Sequence, residues 1–118
     1  MDPVATSFVD CLEGARHETQ PFDYWLLENP LPVGYCDDIA GLPFAPPTDA
    51  VFDGKRDTNN ASRVYFTPEN QAKYPVYRHI VDGFKNPEVK ESIEAATGAD
   101  LSDGHLRIEY CEDEGNFW

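Results

Sequence analysis

Positive charge is scarce in this chain. Nine Lys and Arg among 118 residues face 22 Asp and Glu, a formal net charge of −13 at a pI near 4.3. Nucleic-acid binders draw much of their affinity from counterions released by Lys and Arg, and a carboxylate brought close to a phosphate costs energy. DNA, RNA and anionic lipid are therefore excluded as expected partners. The acidic excess itself has two readings: solubility in a bacterial-type cytoplasm, or mimicry of a nucleic-acid surface by an inhibitor.

Long apolar runs are missing as well. No stretch approaches the roughly 18 consecutive apolar residues of a membrane span, and Met1, Asp2 and Pro3 supply neither a cationic start nor an apolar core for an export signal. The expectation is a soluble, cytoplasmic protein without membrane partners. Cysteine is sparse: Cys11, Cys36 and Cys111 are an odd number at wide spacing, with no CxxC or Cys/His pattern for zinc. Buried free thiols in a reducing compartment are expected. No glycine-rich phosphate cradle, GxSxG elbow or HExxH occurs, which removes the common nucleotide, hydrolase and zinc-protease readings.

What is present suffices for one folded domain or domain fragment. Apolar residues make up 41% and aromatics 13% of the chain, enough to offset the entropy of ordering that keeps polar chains unfolded. Asp2 followed by Pro3 is a helix start, and Val4, Phe8, Val9, Leu12 and Ala15 fall near the spacing of one helical face, predicting a helix over residues 2–17. An aromatic run over residues 21–28 predicts a strand, and Pro32 opens a short helix stopped by Gly41 and Pro43. Residues 1–42 thus read as helix, strand, helix.

Residues 43–63 are rich in Pro, Asp, Asn and Gly and read as one long loop. Loops of that length tend to be lids or binding loops. Its Lys55, Arg56 and Arg63 either meet an anionic ligand or neutralise neighbouring aspartates. Residues 64–98 read as mainly helical. After the β-prone Val64, Tyr65 and Phe66, Thr67-Pro68-Glu69 caps a short helix. Pro75 restarts the chain with Val76, His79, Ile80 and Phe84 on one face, which makes His79 a packed or half-buried residue rather than a ligand. Asn86-Pro87-Glu88 begins a further helix with Val89, Ile93 and Ala96 inward, terminated by Gly98. Over residues 105–111, Leu106, Ile108 and Tyr110 alternate with His105, Arg107 and Glu109, the pattern of a half-buried strand.

No catalytic centre is visible. A 2-His-1-carboxylate iron site needs His-x-Asp or His-x-Glu with a distant His, and the surroundings of His17, His79 and His105 do not fit. His105 and Glu109 are separated by roughly 13 Å along a strand, too far to share a metal. The acidic turn 112–116 followed by Phe117 and Trp118 is an unusual ending, and it suggests a chain interrupted where a next strand begins.

Residues 106–118 resemble the opening barrel strand of 2-oxoglutarate- and Fe(II)-dependent dioxygenases of the prolyl-hydroxylase-like type, including bacterial members without assigned substrates. In that family an alternating apolar strand ending in Tyr leads through a Gly-containing turn and an aromatic pair to the iron-binding His-x-Asp; Tyr110, Gly115 and Phe117 match this lead-in. The resemblance implies an α+β chain contributing the N-terminal helices and first strands of a double-stranded β-helix, or jelly roll, with the barrel incomplete and residues 99–118 as its opening strand. It implies Fe(II) and 2-oxoglutarate as cofactors of the parent protein, ligands beyond Trp118, and an oxidised small-molecule or peptide substrate of unknown identity. Neither cofactor is expected on this chain alone, and neither a catalytic residue nor a metal ligand falls within it.

One residue role carries over: the hydroxyl of Tyr110 would donate to 2-oxoglutarate, against the alternative of a core aromatic with its hydroxyl at the rim. An unfinished barrel would also leave a strand edge open to self-association. The competing reading, from a different class, is a small acidic interaction module or inhibitor without enzymatic chemistry.

Overall fold

In the computed structural model, described over residues 2–43 and 63–111, capping chemistry sets the helix starts. Helix α1, Pro3–Glu13, begins where the Asp2 carboxylate accepts from the backbone amides of Val4 and Ala5 at 2.8 and 3.1 Å, satisfying two of the N–H groups that a helix start leaves unpaired. Helix α2 spans Tyr35–Ala40. Helix α3, Pro68–Lys73, is capped by the Thr67 hydroxyl, and helix α4, Pro75–Phe84, follows after one residue. Helix α5, Pro87–Thr97, is capped by Asn86 and ends at Gly98, whose φ of 75° is the left-handed conformation that favours glycine.

Four short strands form two antiparallel pairs. Strands β1 (Arg16–Glu18) and β2 (Tyr24–Leu26) make a hairpin in which His17 lies opposite Trp25. Strands β3 (Arg63–Tyr65) and β4 (Glu109–Cys111) pair across a long sequence separation, with Val64 opposite Tyr110. The chain is a small α+β fold with five helices and two two-stranded sheets among its described residues.

The core lies where α1, α4 and α5 meet. Val4, Ala5, Tyr77, Ile80, Val81 and Val89 are buried, and Phe8 meets Phe84 edge to face at a centroid distance of 5.1 Å. Such a pair adds about 0.5–1.5 kcal/mol beyond the area it covers. The tightest approach is at Gly83: a Cβ there would stand 2.5 Å from both Cβ and Cγ1 of Val4 and 3.1 Å from the capping oxygen of Asp2.

Several expectations shift. The first helix stops at Glu13, with Gly14 at its C-cap, because Arg16, His17 and Glu18 find strand partners in β2. The inward face of α4 is Tyr77, Ile80 and Val81, so His79 is exposed rather than packed. Its neighbour by two residues, Tyr77, takes the core position, and hydrophobic spacing alone does not choose between two adjacent faces. On α5, Val89 is buried and Ile93 half-buried, but Ala96 is exposed. The final strand covers only Glu109–Cys111; Leu106, expected inward, is 48% exposed. Cys11 is half-buried and Cys36 and Cys111 are exposed, so the three cysteines form no disulfide with one another but are not buried as expected. Lys55, Arg56, most of the 43–63 loop and the 112–118 tail lie outside the described residues.

Gly83→Ala tests the helix contact. Alanine gains about 1 kcal/mol of helix propensity, while forcing a methyl into Val4 costs about 1–3 kcal/mol. Steric cost should win, lowering the melting temperature by about 4 °C or more in a calorimetric scan; an unchanged or raised value would show that α1 has room to move.

Candidate functional site

Tyr110 is half-buried on β4, near enough to Tyr77 for its phenol to act on that of Tyr77. Its antiparallel register with β3 continues past Tyr65: the amide of Phe66 donates to the carbonyl of Ile108 at 3.0 Å. Helix α3 fixes β3 from the other direction. Asn70 Nδ2 donates to the Tyr65 carbonyl and Gln71 Nε2 to the Phe66 carbonyl, each at 2.8 Å. Backbone acceptors at the strand end are thereby satisfied by side chains one helical turn away.

The ring of Phe66 then lies on Tyr77, with centroids 3.6 Å apart and planes 10° from parallel. Tyr74 approaches Tyr77 edge-on at 5.7 Å. Tyr77 is fully buried, and its phenol is pushed up to about 12, chiefly by loss of hydration and then by the neighbouring phenols of Tyr110 and Tyr74. An anion at Tyr77 would be poorly solvated and would repel any second phenolate beside it. Tyr77 is therefore a neutral phenol at physiological pH and cannot act as a base there.

Around Tyr110 the other predicted residues are dispersed. Arg63 is on β3, opposite Cys111 in the register. Glu109 lies 4.0 Å from Arg107 and 3.6 Å from the Cys111 thiol. His105 is exposed and precedes β4, His17 is on the distant hairpin, and His79 is on the outer face of α4. No three His, Cys, Asp or Glu side chains among the described residues come together to hold a metal. These residues do not form an iron site.

Tyr74 and Tyr77 were not singled out by the sequence reading. The available signal was Tyr77, Ile80, Val81 and Phe84 at helical spacing, one step in register from the face chosen.

No protein-family model matches the chain, and searches of curated proteins and of solved structures find no match either.

The buried phenol makes stability fall in alkali. Between the ordinary pKa near 10 and the folded value of about 12, the unfolded chain loses the Tyr77 proton while the folded chain keeps it, so unfolding becomes easier as pH rises. The loss approaches about 2–3 kcal/mol by pH 12. Urea unfolding from pH 9 to pH 12 should show this decline in the native sequence and a shallower one in Tyr77→Phe; parallel profiles would remove Tyr77 as its source.

Proposed function

We propose that this chain supplies the helical layer and the opening barrel strand of a 2-oxoglutarate- and Fe(II)-dependent oxygenase. The observation that carries the reading is the β3–β4 pair, in which α3 holds the end of β3, β4 pairs with β3 in antiparallel register, and Tyr110 on β4 lies near enough to the buried Tyr77 to act on its phenol. It is joined by the resemblance of residues 106–118 to the lead-in of that family. On this reading α4 and α5 lie outside a double-stranded β-helix whose remaining strands, iron ligands and basic clamp follow Trp118.

Within such a site the described residues contribute binding, not oxidation. The hydroxyl of Tyr110 would donate to a carboxylate of 2-oxoglutarate, while the phenol of Tyr77, kept protonated by burial, places no negative charge beneath that anion. Iron, when bound in the parent protein, would supply the activation of O2. The three cysteines form no disulfide with one another, which suits a reducing cytoplasm, and no helix among the described residues is long and apolar enough to cross a membrane.

The test uses the protein expressed with whatever coding sequence follows Trp118. A His-x-Asp shortly downstream and Fe(II)-dependent conversion of 2-oxoglutarate to succinate and CO2 are expected. Tyr110→Phe should then raise the KM for 2-oxoglutarate by about tenfold, the equivalent of one hydrogen bond to a charged group, with a smaller change in kcat. A stop codon directly after Trp118, or a continuing frame without His-x-Asp, would overturn the proposal.

A further inference from the structure

Helices α1 and α5 and the β1–β2 hairpin enclose an open groove of about 660 Å³, within the range of about 300–1,000 Å³ typical of ligand sites. Its apolar lining comes from Val9 and Leu12 of α1 and from Ala95 of α5, and its end wall is the hairpin pair His17 and Trp25, stacked at 4.3 Å and 11° from parallel. Asp23 holds the outer edge of His17 at 3.1 Å from Nε2.

The charges of the lining all have one sign. Glu13, Glu88 and Glu91 border the groove, all three exposed, and among the described residues neither Lys nor Arg lines it. Glu88, Glu91 and Ala95 recur at steps of three and four, so carboxylates and apolar surface run along one face of α5 for two turns, ~10 Å. An anionic occupant would be repelled, and a purely apolar one would strip water from the glutamates without pairing them. The carboxylates are also too dispersed to chelate a point cation: they form no group that could hold a metal. Spaced cations carried on an apolar scaffold satisfy every part of the lining.

We propose that this groove docks a basic amphipathic helix of a partner protein, its apolar side chains against Val9, Leu12 and Ala95 and its Lys or Arg side chains toward Glu13, Glu88 and Glu91. Exposed Ala95 and Ala96 offer little side-chain bulk, which allows a third helix to lie close. Trp25, half-buried at the end wall, provides an aromatic ring for a cation or an apolar anchor. The net charge of −13 favours encounter with such a partner over long range. This inference does not depend on the oxygenase reading.

The experiment is a fluorescence titration of the full chain carrying Trp118→Phe, so that Trp25 is the reporting indole. The probe is a Lys/Leu amphipathic peptide of roughly 14 residues, long enough to hold a helix. Saturable 1:1 binding that shifts the Trp25 emission and weakens with salt is expected, with no binding of the matching Glu/Leu peptide. Glu88→Gln with Glu91→Gln, both on the exposed rim, should weaken the Kd about fivefold to tenfold. A control with the same charge change away from the groove, Glu69→Gln with Asp103→Asn, should stay within about twofold of the parent. Equal weakening by both pairs would show attraction to net charge alone and overturn the site. Failure of the Lys/Leu peptide to bind, or a chain that sediments as a dimer released by the Glu88 and Glu91 changes, would overturn it too.

Discussion

The contact between Val4 and Gly83 is the constraint on which the arrangement of helices depends. Val4 is 1% exposed and Ala5 fully buried, and a Cβ at residue 83 would collide with Val4. Helix α1 thus approaches α4 as closely as backbone allows, and the Asp2 cap that starts α1 lies at the same point. With its first turn seated there, the helix brings Phe8 onto Phe84 and its later residues onto α5. Interiors are close-packed and tolerate added volume poorly, so this one approach fixes the position of the whole element.

Two distinct surfaces follow from that placement. One is the aromatic group of Tyr77, Phe66 and Tyr74 by the β3–β4 pair, where Tyr77 is a neutral phenol near Tyr110. The other is the acidic groove bounded by α1, one face of α5 and the hairpin. The proposed cosubstrate contact and the proposed helix dock use different residues. One is governed by hydrogen bonding from phenols, the other by spaced carboxylates, so a substitution in either leaves the other chemistry in place.

Much of the local structure was legible in the residues. Asp2-Pro3, Thr67-Pro68 and Asn86-Pro87 each begin a helix as read, and Gly98 ends one with φ of 75°. These signals are local: a side-chain oxygen reaches an amide two or three residues on, and proline is preset for the first helical position. The misreadings arose where partners are distant. Arg16 to Glu18 became a strand because β2 pairs with it, and Tyr77 replaced His79 in the core because Phe66 was there to stack on it. Tyr77 was hidden by a register one step from the face chosen, and the groove glutamates carry no local mark, since surface carboxylates are common throughout this acidic chain.

The amino-acid order by itself determined charge balance, helix starts and the exclusion of the common nucleotide, hydrolase and zinc motifs. All of these are properties of composition or of groups within a few residues of one another. Tertiary structure alone decided which face of α4 turns inward, that residues 63–65 pair with 109–111, and that Glu13 and Glu91 border one groove. Those outcomes depend on side chains brought together from far apart in the chain, where the energy of burial and close packing selects among faces that local preference leaves nearly equal.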